Sequence, residues 1–187
     1  GAAALPTLMV GRSFAYESDG FAVFRLSLSK AAASAITLSL ALSDDKASGL
    51  GVDYGNAGTS NLQVWTNGTT WANATTATFA VGATELFVRT AIIADNVTNP
   101  TYIPPVNGAT VLPGNRQPQT LNIEGNERFN LNATVTTGAA ALANGTQTVT
   151  GIGTIVDGAG TEPLVWIDSV VTDEFSGQAW FTVSRHR

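Results

Sequence analysis

Residues 16–27 read Tyr16-Glu17-Ser18-Asp19-Gly20-Phe21-Ala22-Val23-Phe24-Arg25-Leu26-Ser27. Without a gap, 157 residues later, stands Asp173-Glu174-Phe175-Ser176-Gly177-Gln178-Ala179-Trp180-Phe181-Thr182-Val183-Ser184. Pro6 meets Pro163, Glu17 meets Glu174, Gly20 meets Gly177 and Phe24 meets Phe181. Apolar positions stay apolar, with Val10 against Ile167 and Leu26 against Val183. Self-similarity at a fixed period is the sign of an array. The chain therefore reads as one complete unit, residues 1–160, followed in 161–187 by the first hairpin of another. A lone hairpin cannot bury its own apolar face, so Phe181 and Val183 need partners.

Working outward, the same alternation recurs. Ala22, Phe24, Leu26 and Leu28 alternate with polar neighbours, as do Ile36, Leu38, Leu40 and Leu42, and then Phe129, Leu131, Ala133 and Val135. Period-2 alternation places one strand face in a core. Leu86–Ile93 is nearly all apolar and reads as a strand buried on both faces. No stretch carries apolar residues at helical spacing over three turns, and Lys30–Ala35 fits a hairpin loop. The predicted strands run roughly 7–16, 21–29, 35–42, 62–66, 75–81, 84–94, 126–137 and 147–156, with 164–173 and 178–185 in the copy. This pattern predicts an all-β fold, an antiparallel β-sandwich of about seven strands plus an extra C-terminal hairpin. Two long connections interrupt it: Ser43–Ser60, and a Pro-rich insertion over 96–119.

Composition narrows the function classes. The chain is 44% hydrophobic but only 12% charged, about half the usual charged share. Its polarity comes from hydroxyls and amides. A net charge of −5, with no basic run, argues against nucleic acid. There is no Cys, which removes disulfides and thiolate chemistry. No run is long enough to span a bilayer, so membrane insertion is not expected. The opening Gly1-Ala2-Ala3-Ala4 lacks the features of a signal peptide, so an exported protein would be met here in mature form. The only His is His186, beside the end, and no nucleophile-base pair stands out, so an enzyme is not expected.

The few carboxylates fall at strand ends. Strand ends of like sense gather at one pole of a sandwich, and an oxygen-only cluster there suits Ca²⁺. In this context the chain resembles the Calx-β domain family. The resemblance lies in Tyr16-Glu17-Ser18-Asp19-Gly20, Asp53-Tyr54, Ala91-Ile92-Ile93-Ala94-Asp95, Glu124-Gly125-Asn126-Glu127-Arg128-Phe129-Asn130-Leu131 and Gly153-Thr154-Ile155-Val156-Asp157. It runs from about residue 7 to 158, and the Glu-x-x-Glu-x-Phe-x-Leu element is its most specific piece. It implies an immunoglobulin-like Greek-key sandwich, with Glu17, Asp53, Asp95, Glu124, Glu127 and Asp157 as Ca²⁺ ligands. Family members occur in ion exchangers, integrin tails and, often in tandem, bacterial adhesins and exoproteins. Here Asp157 is followed by Gly158-Ala159-Gly160, and Asp95 by Asn96-Val97, where the family carries further Asp. The site is thinner than the family pattern.

Two further features bear on binding. Trp65 and Trp71 flank the turn Asn67-Gly68; they read either as a sugar-stacking pair or, by preference, as a pair packed across a hairpin. Asn67, Asn73, Asn96, Asn132 and Asn144 open Asn-x-Thr sequons, candidate glycosylation sites.

The expectation is a structural repeat unit of an extracellular or cell-surface fibre or adhesin stalk. It would be joined head to tail through the terminal hairpin, either to copies of itself or to adjacent repeats of a longer chain. Trp166, Glu174, Trp180, Phe181 and Val183 would form the inter-unit contact. The alternative is a Ca²⁺-binding or carbohydrate-binding surface module.

Overall fold

The computed structural model describes residues 5–56, 61–66, 68–94, 126–142, 148–156, 163–167, 181 and 183–186. Within them the strands are β1 (Thr7–Val10), β2 (Ser13–Tyr16), β3 (Phe21–Leu28), β4 (Ile36–Asp44), β5 (Gln63–Thr66), β6 (Thr70–Asn73), β7 (Thr76–Phe79), β8 (Glu85–Ala91), β9 (Glu127–Thr137), β10 (Ala141–Leu142), β11 (Thr148–Val156), β12 (Leu164–Ile167) and β13 (Val183–His186). One sheet has the order β10-β1-β3-β8-β5-β6 and the other β2-β11-β9-β4-β7. Pairing is antiparallel except for β1 with β10 and β2 with β11, which are parallel. This is an immunoglobulin-like β-sandwich, in which the first strand is divided between the sheets.

The division corrects the single strand expected over 7–16. Thr7–Val10 pairs with β3, and Ser13–Tyr16 pairs with β11. Between them the chain crosses the open side of the sandwich, where Gly11 N–H donates to Arg25 O at 2.8 Å. An alternating pattern marks which side chains face inward but not which sheet owns the strand. β6 and β10 also go beyond the expected strands. A 3-10 turn, Glu17–Asp19, follows β2 where no helical turn was expected.

The core is the alternation made solid. Leu8, Phe24, Leu26 and Val88 of the first sheet meet Ile36, Leu38, Phe129 and Leu131 of the second, all fully buried. Phe24 and Phe129 pack edge to face, with centroids 5.7 Å apart. That contact needs a bare backbone at Gly153, where an added Cβ would lie 2.6 Å from Phe129 Cζ and 2.9 Å from Phe24 Cζ. β8 departs from expectation. Val88 and Thr90 are buried inward, but Phe87, Arg89 and Ala91 on the outer face are only half-buried.

The stretch after β4 is more ordered than a long loop suggests. Lys46 and Ala47 N–H donate to Arg128 O at 2.9 and 2.8 Å. Tyr54 is buried, with its ring stacked on Phe129 at 4.3 Å. The insertion 96–119 lies outside the described residues.

Candidate functional site

β12 and β13 form a two-stranded antiparallel ladder apart from both sheets of the sandwich. Its register is Val165↔Arg185, Trp166↔Ser184 and Ile167↔Val183. In the sandwich, β1 and β3 pair as Leu8↔Leu28, Met9↔Ser27 and Val10↔Leu26. At the sequence offset these are the same pairs. The terminal ladder thus repeats the first strand pair of the sandwich in sequence and in pairing.

The two ladders differ in what covers them. Leu8 and Leu26 are 0% exposed in the core, while their counterparts Val165 and Val183 are each 63% exposed. Ile167, counterpart of the partly buried Val10, is 59% exposed. Phe181 is 62% exposed, where Phe24 is fully buried. The opposite face of the ladder turns toward the sandwich. Trp166 packs on Phe14 at 5.3 Å between centroids, tilted by 37°. The two bodies bound a cleft of about 250 Å³ lined by Arg12, Phe14, Val23, Phe87, Trp166 and Ser184. The indole Nε1 of Trp166 is buried with no hydrogen-bond partner among the described residues, which costs about 1–3 kcal/mol. The ladder therefore turns Val165, Ile167 and Val183 outward and Trp166 toward the sandwich. Glu174 and Trp180, also expected at this contact, lie outside the described residues.

The acidic pole forms at the other end of β3. Asp19 Oδ2 accepts Tyr16 N–H at 2.5 Å, closing the turn that holds Glu17. Gly20, with φ of 76°, ends that turn in the left-handed region that suits glycine. Its carbonyl accepts Ile92 N–H at 3.0 Å, and Asp53 O accepts Ile93 N–H at 2.9 Å. Glu127 opens β9 opposite Ile155, which in turn lies opposite Ala15. Glu17, Asp53 and Glu127 thus belong to one rim, while Asp95, Glu124 and Asp157 lie outside the described residues.

The described part of this set is not a complete cation site. No group of three acidic side chains able to hold a metal occurs among the described residues, whereas Ca²⁺ takes six to eight oxygens. Asp53 is buried, and its Oδ2 accepts Ser48 N–H at 2.6 Å. Nearby, Tyr54 donates its hydroxyl to Asp44, whose Oδ1 also accepts Gly49 N–H at 2.9 Å. Burial, the Asp44 hydrogen bond and the charges of Asp44 and Asp53 all raise the Tyr54 pKa well above the ordinary phenol value. The Asp44–Tyr54 pair went unnoticed in the sequence, because Asp44 and Tyr54 are joined only when the loop folds back.

The remaining candidates are resolved in part. Trp65 and Trp71 are direct cross-strand partners with centroids 5.1 Å apart, which bears out packing across the β5–β6 hairpin. The Arg89 guanidinium sits 3.8 Å from the Phe21 ring centroid and 4.4 Å from that of Trp71, and burial lowers its pKa. Arg89 thus lies against a face of Trp71, one ring of that pair. Asn73 is exposed and its Oδ1 accepts Gln63 Nε2–H at 3.0 Å. Asn132 donates to Ser43 Oγ at 3.0 Å and accepts from Thr150 Oγ1 at 2.7 Å, so its amide is engaged from both sides. Asn67, Asn96 and Asn144 lie outside the described residues. His186 contributes backbone pairing opposite Leu164.

No protein-family profile matches the chain, and no curated protein matches it. Among solved structures it is similar to the apo form of the Calx CBD1 domain, with 14% identity and a TM-score of 0.47, over 83% of this chain and 99% of that one. It is also similar to CBD12 from CALX1.2, at 13% identity and a TM-score of 0.46, over 87% of this chain and 56% of that one. A third neighbour is the calcium binding domain CBD12 of CALX1.1, at 13% identity and a TM-score of 0.47, over 86% of this chain and 55% of that one. The chain spans little more than half the length of the last two.

Proposed function

We propose that this chain is a structural unit of an extracellular linear array, a fibre or adhesin stalk, joined head to tail through the β12–β13 ladder. One observation carries the reading. The ladder repeats the register of β1–β3 and holds Val165, Ile167 and Val183 in the open, where their counterparts are core residues. Removing one such side chain from water is worth about 1.5–3 kcal/mol, so the exposed row has a strong drive toward a partner. A surface low in charge and rich in hydroxyls suits close-packed subunits. No nucleic acid, membrane insertion or catalysis enters this role.

The paired substitution Ile167→Asp with Val183→Asp tests it in the full chain. The two residues are cross-strand partners on the exposed face, outside the sandwich core. Two adjacent carboxylates there are expected to abolish assembly seen by electron microscopy and light scattering, while the sandwich melts as before. Assembly that survives both charges overturns the proposal.

A second reading rests on the shared rim of Glu17, Asp53 and Glu127: this pole takes Ca²⁺, completed by carboxylates or carbonyls from the neighbouring segments. It predicts a rise in melting temperature in millimolar Ca²⁺, reversed by chelator. An unchanged melt removes it.

A further inference from the structure

We infer that the outward face of the first sheet binds a glycan bearing an acidic sugar, whose carboxylate sits on the Arg89 guanidinium while adjoining sugar rings lie on Trp65 and Trp71. This goes beyond the array proposal and does not depend on the terminal ladder. The register builds the face. Val23 pairs with Arg89, Arg89 with Gln63 and Gln63 with Asn73, so these four side chains form one row across β3, β8, β5 and β6. The next row on the same face, two residues along each strand, holds Arg25, Phe87, Trp65 and Trp71. The intervening Phe24, Val88 and Val64 point the other way, into the core. No side chain of either row is fully buried. With strands about 4.8 Å apart, each row runs for about 14 Å.

Arg89 is the unbalanced group of this face. Its Nε donates to Gln63 Oε1 at 2.7 Å, and its guanidinium lies against the rings of Phe21 and Trp71. Its remaining N–H groups meet no acceptor among the described residues, and no carboxylate there pairs with it. Arg25, in the next row, is already matched by Glu85. Burial lowers the Arg89 pKa, with no neighbouring carboxylate to raise it again. A partly desolvated cation without a counter-charge is unfavourable, and an incoming carboxylate relieves it. The bond at Nε and the two flanking rings hold the guanidinium in one orientation. A fork fixed in that way suits a planar carboxylate bound through two parallel hydrogen bonds.

What surrounds Arg89 selects a sugar. Beyond it the row is uncharged: Gln63 Nε2–H donates to Asn73 Oδ1 at 3.0 Å, and the exposed Asn73 amide nitrogen has no partner among the described residues. Amides both donate and accept, which matches the hydroxyls of a neutral sugar. Trp65 and Trp71 add two partly exposed indoles on the next row. Such rings offer apolar area beside a polar N–H, the combination that the C–H face and hydroxyl edge of a sugar ring require. An acidic peptide would supply the carboxylate but nothing for the amides and indoles together. A densely charged polyanion is opposed by the net charge of −5. The occupant is therefore a glycan in which an acidic sugar stands among neutral ones.

Calorimetric titration of the full chain tests this. The probe is a hyaluronan tetrasaccharide, which alternates glucuronate with neutral N-acetylglucosamine. Chitotetraose supplies similar rings without the carboxylate, and a tetraglutamate peptide supplies carboxylates without the rings. The hyaluronan fragment is expected to bind at least about tenfold more tightly than either. Arg89→Lys keeps the charge but loses the fork, and is expected to weaken that binding by at least about tenfold. Asn73→Asp alters an exposed residue outside the core. It sets a carboxylate at the end of the row and is expected to weaken binding by about fivefold or more while the melt stays that of the parent. Arg128→Gln removes a cation from the other sheet and is expected to bind as the parent does. Absence of hyaluronan binding overturns the inference. So does binding that chitotetraose or tetraglutamate equals, or that survives Arg89→Lys undiminished.

Discussion

Trp166 joins the ladder to the sandwich through its contact with Phe14, and its replacement has a calculable result. In Trp166→Ala the contact with Phe14 is lost. Truncating a fully buried Trp costs about 3–5 kcal/mol. The half-buried position roughly halves that, and the aromatic pair adds about 0.5–1.5 kcal/mol. Against this stands relief of the unpartnered Nε1, worth about 1–3 kcal/mol. The net expectation is a loss of about 1 kcal/mol in docking of the ladder. At about 1.4 kcal/mol per factor of ten, that is roughly fivefold faster amide exchange in β12 and β13. The sandwich should melt unchanged, since neither of its sheets includes the ladder. Trp166→Phe keeps an aromatic ring on Phe14 and removes the orphaned N–H, so its exchange is expected to be no faster than the parent's. Hydrogen exchange read by mass spectrometry over 163–186 is the assay. Unchanged exchange in Trp166→Ala, or equal acceleration in both variants, would refute the reasoning.

Three other substitutions probe the frame. Gly153→Ala forces a methyl into the Phe24–Phe129 contact, and urea unfolding should show a loss of about 1–3 kcal/mol. Tyr54→Phe keeps the stack on Phe129 but removes the hydroxyl bond to Asp44, so denaturant melts at neutral pH should register a loss of about 1–2 kcal/mol. Because folding raises the Tyr54 pKa, the parent protein holds this contribution below the unfolded phenol pKa of about 10 and loses it as pH rises further; the Phe variant should show a smaller alkaline decline. Arg89→Ala strips the cation from between Phe21 and Trp71, and two stacked contacts at about 0.5–1 kcal/mol each predict a loss of about 1–2 kcal/mol by thermal melt.

Much of this was legible in the residues. The alternation from Ala22 to Leu28 and from Phe129 to Val135 gave the inward faces, because burial on one side of a pleated strand has no other signature. The self-match located the terminal ladder and aligned it with β1–β3, and the pairing register agrees residue for residue. Less legible was the break at Gly11–Arg12, since a strand that changes sheets keeps its alternation. The hairpin strand Thr70–Asn73 carries too few apolar residues to announce itself, and only Trp71 hinted at it. At the pole, sequence order named six candidate ligands, of which Glu17, Asp53 and Glu127 are among the described residues and form no cation site by themselves. The use of Asp53 by Ser48 N–H, and of Asp44 by Tyr54, depends on backbone geometry that spacing does not encode.

The central claim is that units of this chain are joined in line through the β12–β13 ladder, and electron microscopy of the native material tests it most directly. The longest strand, β9, has 11 residues, which at about 3.3 Å per residue sets a unit length near 35–40 Å. The account predicts unbranched filaments beaded at about that spacing, with density running unbroken from one sandwich into the next. Isolated particles the size of one sandwich would contradict it.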